Sequence, residues 1–234
     1  MLVIGFPAQV FGTNCYVVAP AAGEECLVVD PGIGVLGQLS AVLEEHGLRP
    51  AAVLATHGHL DHVYSVTPVC QAHGVAVRVH GADTYRLVDP AATLGPELRA
   101  MFEQQFGKDG WHEPDDVVEL EHGQKLTIAG IELDVVHAPG HTEGSVIFTV
   151  PGVPSSLDAG HGLTSTAFAG DVLFAGSIGR TDLPGGSGAA MMRSLRERVL
   201  PMADDTLVLP GHGPATTIGR ERASNPYLRE EALR

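Results

Sequence analysis

Residues 57 to 62 read His57-Gly-His59-Leu-Asp61-His62, three imidazoles and a carboxylate within six residues. Neutral imidazole and carboxylate are good ligands for zinc, iron or manganese. Four donors so close in sequence cannot all close a strain-free tetrahedron about one ion. Alternation offers a solution, with His57 and His59 turned to one metal and Asp61 and His62 beginning a helix that faces a second. Such a half-site needs completion from elsewhere, and three further turns carry matching donors. His141 lies in Pro139-Gly-His141-Thr-Glu-Gly144, Asp171 in Ala169-Gly-Asp171, and His212 in Pro210-Gly-His212-Gly213. Each follows a glycine and stands where an apolar run gives way to a turn. Asp171 is the natural bridge, because a carboxylate has two oxygens for two cations. A lone histidine is usually a surface or packing residue, and His46, His73, His80, His112, His122, His137 and His161 are read so. Four separated turns with one chemistry are not a composition effect.

The elements that must hold these turns follow from hydrophobic patterning. Apolar runs predict strands at Leu2–Phe6, Cys15–Val18, Cys26–Asp30, Ala51–Thr56, Ala76–Val79 and Val117–Leu120. More follow at Lys125–Ile128, Ile131–His137, Ser145–Val150, Ala167–Ala169 and Thr206–Leu209. Helical spacing predicts Leu36–His46, Asp61–His73, Glu97–Phe106, Ala189–Arg198 and a short C-terminal helix, with Gly47 and Gly74 as left-handed caps. Strands outnumber helices, and helices follow strands in both halves. The expected architecture is therefore two mixed sheets packed together with helices outside. Gly152–Ser165 reads as an exposed excursion from a hairpin, and Ala82–Glu113, with the lone Trp111, as either a lid or a covering layer.

Gly32-Ile-Gly34-Val-Leu-Gly37 matches the spacing of a dinucleotide-binding turn, but the next strand ends in Thr56-His57 where the ribose would want an acid. With 29 glycines in the chain, that match is cheap. The 234 residues are 44% hydrophobic and 18% charged, enough apolar mass for a sizeable core and too much for disorder. Twenty-eight acids against fourteen bases give a net charge of −14, which repels phosphate backbones and argues against nucleic-acid binding. No apolar run approaches a membrane span, and the N-terminus lacks the basic start of a signal peptide. Cys15, Cys26 and Cys70 are odd in number and lack CxxC spacing. They fit buried thiols in a reducing compartment, so the expected location is the cytoplasm.

The motif set Thr56-His57-x-His59-x-Asp61-His62, Pro139-Gly-His141-Thr142, Gly170-Asp171 and Pro210-Gly-His212-Gly213 resembles that of the metallo-β-lactamase-fold hydrolases, in order. Asn14-Cys-Tyr16 and Val29-Asp30-Pro31-Gly32 resemble the opening strands of that fold, whose aspartate supports the metal site from behind its ligands. The resemblance implies an α+β fold, an αββα sandwich in one domain over residues 1–234. It also implies two divalent metal ions, zinc being the expected ion and iron or manganese compatible. The first would take His57, His59, His141 and Asp171, and the second Asp61, His62, Asp171 and His212.

Within the family the short glyoxalase II-like branch fits best. Phe168-Ala-Gly-Asp171-Val-Leu-Phe174 and Ile178-Gly-Arg180-Thr-Asp182 have the style of its fourth motif. Asp171 stands without the second-site cysteine usual in the lactamases. Only twenty-two residues follow His212, too few for the helical glutathione-binding domain of long glyoxalase II enzymes. The expected reaction is hydrolysis of a small-molecule thioester of the S-lactoylglutathione type, with Asp61 and Asp171 as catalytic carboxylates. Arg180 is the candidate contact for a substrate carboxylate, its bland alternative being an ion pair with Asp182. A thiolate leaving group, with a pKa near ~8.5, needs little acid assistance. A mononuclear iron persulfide dioxygenase, suggested by Gly179-Arg180-Thr181-Asp182, and a lactonase are the rival readings. A vestigial binding module fits poorly with a complete ligand set.

Overall fold

The computed structural model describes residues 1–106, 111–157 and 162–229. Its first sheet holds β1 (Leu2–Pro7), β2 (Asn14–Ala19), β3 (Glu25–Val29), β4 (Arg49–Leu54), β5 (Val77–His80) and β6 (Val117–Leu120), in that spatial order. The second holds β7 (Lys125–Ile128), β8 (Ile131–His137), β9 (Val146–Pro151), β10 (Ser165–Gly170), β13 (Thr206–Pro210) and β14 (Thr216–Thr217). Its order is β14-β13-β10-β9-β8-β7, while β11 (Leu173–Phe174) and β12 (Ser177–Ile178) form a separate small hairpin. Both large sheets are mixed. Pairing in the first changes from antiparallel to parallel at β3–β4, and the second is antiparallel except for the parallel pair β10–β13.

Alternation along the strands assigns each side chain to a layer. Tyr16, Val18, Leu27, Val29 and Leu54 meet Leu133, Val135, Phe148, Phe168 and Leu209 between the sheets. Their neighbours Val17, Ala19, Cys26, Val28 and Val53 face outward onto α1 (Leu36–His46) and α3 (Val66–His73). On the other outer face, Ile147, Ala167, Ala169 and Val208 pack against α5 (Gly188–Ser194) and α6 (Ile218–Ser224). Strands buried on both sides need continuous apolar runs, and β2, β3 and β13 have them. The expected αββα sandwich is the fold observed.

The helix expected over Asp61–His73 is two helices, α2 (Leu60–Val63) and α3. Pro68 has no amide hydrogen to donate, and its ring crowds the carbonyl four residues back, so the helix cannot continue through Tyr64. Ser65 uses the break, donating its amide to the Pro31 carbonyl at 2.9 Å and its hydroxyl to the Gly32 carbonyl at 2.6 Å. Gly47 and Gly74 cap α1 and α3 in the left-handed region, at φ 64° and 66°. The helix predicted over Ala189–Arg198 is α5 followed by a wider π-type turn, Leu195–Val199. Ala82–Glu113 holds two short 3-10 segments, Gly81–Leu87 and Pro90–Thr93, then α4 (Pro96–Phe106). Its residues 107–110 lie outside the described ones, as do 158–161 of the β9–β10 excursion, His161 among them. All three cysteines are buried free thiols. No helix among the described residues is long and apolar enough to cross a membrane.

Candidate metal centre

Strand directions bring the four motif turns to one edge. β8 and β10 are each antiparallel to β9, and β13 is parallel to β10, so β8, β10 and β13 all end on the same side. His141, Asp171 and His212 follow those ends. In the first sheet β2 is antiparallel to β3, and β3 is parallel to β4, so β2 begins where β4 ends and where the turn to His57 starts. The two edges are fastened together there: Thr13 bridges His212, and the Asn14 amide donates to the Gly211 carbonyl at 2.7 Å. The glycine before each of His141, Asp171 and His212 makes room for this convergence. A Cβ on Gly211 would collide with Asp171 Oδ1 and the His62 ring, and one on Gly170, at φ 47°, with the Thr56 hydroxyl.

All seven sequence-identified residues meet at this edge. His57, His59 and His141 form one group whose donor atoms lie within 4.8 Å of one another, and Asp61, His62 and His212 form another on the same criterion. His59 Nδ1 stands 2.8 Å from His141 Nε2, and His62 Nε2 3.3 Å from His212 Nε2. Asp171 lies between the groups. Its Oδ1 is 3.4 Å from His62 Nε2, and its Oδ2 is 3.5 Å from His141 Nε2 and 3.6 Å from His212 Nε2. Asp61 Oδ2 is 3.2 Å from His212 Nε2 and accepts the Thr13 hydroxyl at 3.0 Å.

Partners behind the rings decide which nitrogen faces the centre. Asp30 accepts the Thr56 amide at 2.7 Å, the Thr56 hydroxyl at 2.6 Å and His62 Nδ1–H at 2.9 Å. The Thr56 hydroxyl, its proton committed to Asp30, accepts His57 Nδ1–H at 3.1 Å. His141 Nδ1–H donates to the Arg180 carbonyl at 2.8 Å. His57, His62 and His141 therefore each turn Nε2 inward, the orientation a metal ligand needs; at His62 a cation would take the place of the proton that the surrounding carboxylates favour. Among the described residues, His57 Nε2, His59 Nε2 and Asp171 Oδ1 are buried without a hydrogen-bond partner, and polar atoms that converge so closely are satisfied by a shared cation. The donor set fits a divalent metal.

Electrostatics separates the two groups. Burial, reinforced by the surrounding imidazoles, holds His57 well below the usual imidazole range and lowers His59 to about 3. Burial also lowers His141, against the pull of Asp171. These three are neutral at pH 7. For His62 burial acts in the same direction, but Asp171, Asp61 and Asp30 outweigh it and carry the ring well above the usual range. For His212, burial is outweighed by the hydrogen bond to Asp61 and the charge of Asp171.

A cavity of about 270 Å³ opens onto the centre, walled by Phe11, Leu60, Leu94 and Leu183, with Arg180 also at its lining. The Arg180 guanidinium is exposed and makes two 2.7 Å bonds to Asp182, so the bland ion pair is present; its carbonyl meanwhile fixes His141. Sequence reasoning missed Thr13, Phe11, Asp83 and Arg86. Phe11 announces itself only in three dimensions, as an exposed aromatic at φ 63° beside the centre. Asp83 and Arg86 sit in a short 3-10 segment with no motif, and their partners are distant in sequence. His80 and His137, read as bystanders, stack on each other at 3.8 Å outside the metal groups.

The family model described as Metallo-beta-lactamase superfamily matches residues 8–154. Hydroxyacylglutathione hydrolase GloC of Haemophilus influenzae is 31% identical over 226 residues, 97% of each chain. The crystal structure of BLEG-1 B3 metallo-beta-lactamase superposes with a TM-score of 0.76 at 32% identity, covering 97% of this chain and 99% of its own. TTHA1623, solved in a di-iron-bound form, gives 0.73 at 34% identity, covering 96% and 100%. A family model spanning more than half of the sequence and relatives aligned end to end lead to one assignment: this chain belongs to the metallo-beta-lactamase superfamily of metal-dependent hydrolases.

Proposed function

We propose that this chain hydrolyses a small-molecule thioester of the S-lactoylglutathione type at a dinuclear centre, with zinc as the expected ion and iron or manganese accepted by the same donors. The observation that carries the reading is the place of Asp171, one oxygen 3.4 Å from His62 Nε2 and the other 3.5 Å from His141 Nε2. His57, His59 and His141 would hold the first ion, Asp61, His62 and His212 the second, and Asp171 both. Two divalent ions so bound supply water that ionises near neutral pH and a Lewis acid for a carbonyl.

The residues around the centre do the rest. Asp30 and the Arg180 carbonyl keep His62 and His141 turned inward, and Thr13 holds Asp61. Phe11, Leu60, Leu94 and Leu183 give the cavity over the centre an apolar wall against which the substrate's acyl group would pack. Arg180 stands where a substrate carboxylate would displace Asp182. A thiolate leaves without strong acid assistance, which suits a site whose carboxylates are committed as ligands. GloC supports the thioester, and the di-iron form of TTHA1623 supports two metals.

The test is a purified chain, loaded in parallel with zinc and with iron, assayed against S-lactoylglutathione, a lactone, a β-lactam and glutathione persulfide, with metal content and dissolved oxygen monitored. Thioester cleavage without oxygen consumption is the expected result. Oxygen uptake with glutathione persulfide, one iron per chain and no thioesterase activity would replace the hydrolase with the dioxygenase suggested by Gly179-Arg180-Thr181-Asp182.

A further inference from the structure

Asp83 is fully buried, on the 3-10 segment that follows β5, and its carboxylate is shared between two ligand-bearing turns. Oδ2 accepts the Gly58 amide at 2.8 Å and the Thr142 hydroxyl at 2.7 Å. Oδ1 accepts the Gly144 amide at 2.8 Å and Arg86 Nε–H at 3.2 Å. Gly58 lies between His57 and His59, and Thr142 follows His141. One side chain thus grips the first turn once and the second turn twice, from both oxygens.

The surroundings are built for it. A Cβ on Gly144 would stand 2.5 Å from Asp83 Cγ, and one on Gly58 2.7 Å from Arg86 Cβ. Both turns are glycine where the pair presses against them. Arg86, also fully buried, balances the charge and reaches on to Glu143 at 2.7 Å and the Pro184 carbonyl at 2.9 Å. The second group is held by other means: Asp30 behind His62, Thr13 on Asp61, and the Thr13 bridge to His212.

We propose that Asp83 is the positioning residue of the first metal site, setting the gap between the turn of His57 and His59 and the turn of His141. The inference rests on the reading of those histidines as ligands. A metal site tolerates errors of only about 0.2 Å in ligand distance, so the gap between two separately anchored turns governs affinity. In Asp83→Asn one oxygen becomes an amide that cannot accept. Either orientation of the amide sets its N–H groups against a backbone donor, the Gly58 amide on one turn or the Gly144 amide on the other, so a flip cannot restore the link between the two turns.

Zinc-loaded protein is dialysed against graded chelator, and zinc per chain is counted alongside the melting curve. In Asp83→Asn one equivalent should leave at a chelator concentration about 10–100-fold lower than in wild type, with the other retained as in wild type. Introduced into His212→Ala, where the first site alone is loaded, the same change should strip the remaining zinc. Identical zinc release in Asp83→Asn and wild type overturns the proposal, as does parallel loss of both equivalents, which marks a general structural role. A wild-type chain that takes up no zinc, iron or manganese overturns the metal reading itself. Should Asp83→Asn fail to fold, Thr142→Val removes one of the four bonds at nearly constant volume and must show the same selective loss; unchanged release there is also fatal.

Discussion

Asp30 and Asp171 are buried aspartates at the same edge, separated in role by what their oxygens touch. Both Asp30 oxygens are occupied by the Thr56 amide, the Thr56 hydroxyl and His62, so Asp30 acts only through its neighbours. The Asp171 oxygens face imidazole nitrogens of both groups. Asp171→Ala should therefore weaken both metals by at least the ~10–100-fold seen when a supporting partner is lost. His212→Ala should chiefly empty the second site. Metal analysis after dialysis checks both, and wild-type content in Asp171→Ala would remove its assignment as the shared ligand. The cysteines give a second residue-scale prediction. Burial pushes Cys26 and Cys70 up to about 12 and Cys15 well above its ordinary value, so the reactive thiolate is scarce at neutral pH. Alkylation at pH 7.5 should be slow in the folded chain and reach three per chain in denaturant, as counted by intact mass. Rapid labelling of the native protein would contradict the packing described.

Elements with long apolar or amphipathic runs were legible in the sequence; those defined by a partner were not. The strands Ile131–His137 and Val117–Leu120 and the helix Leu36–His46 have the predicted bounds, because their periodicity and caps are local. The two-residue strands β11, β12 and β14 are too short for periodicity to register. The four motif turns were legible because each carries its own candidate donor, whereas Asp83 is meaningful only through Gly58, Thr142 and Gly144, 25 to 61 residues away. The segment bearing Asp83 begins at His80, whose Nδ1 accepts the Ala82 amide and whose ring stacks on His137. Burial, His137 and His122 lower His80 to about 4, against the opposing charge of Asp83. A histidine that binds its proton less well folded than unfolded contributes stability that is full above about pH 6.5 and is lost as pH falls toward 4. In His80→Asn the amide oxygen can accept the same N–H without titrating. Melting near the wild-type temperature at pH 7.5, with a shallower decline between pH 6.5 and 4, is the expected outcome. An unchanged decline would show that the slope arises elsewhere.

At the scale of the molecule, the centre is where the two sheets are joined by polar groups rather than by packing alone. The inner core holds the sheets face to face, but at the active edge the first sheet supplies His57, His59, Asp61 and His62, and the second His141, Asp171 and His212. That division also explains what the sequence could reveal. The motifs named the turns, while the order β14-β13-β10-β9-β8-β7, which decides that their ends coincide, depends on pairings between strands remote in the chain. Ions shared between the sheets would bind the folded chain in preference to the unfolded one, and so would stabilise it by mass action. Free metal at a hundred times its dissociation constant contributes about 2.7 kcal/mol per site. For a chain of this size that corresponds to roughly 5–11 °C in melting temperature for each site, and about twice that for two. Chelation should therefore lower the midpoint by an amount of that order, and zinc should restore it. The added hydrogen exchange should concentrate in the turns after β4, β8, β10 and β13, leaving the inter-sheet strands protected. Uniform exchange across both sheets on chelation would instead mean that the metals hold the whole sandwich together.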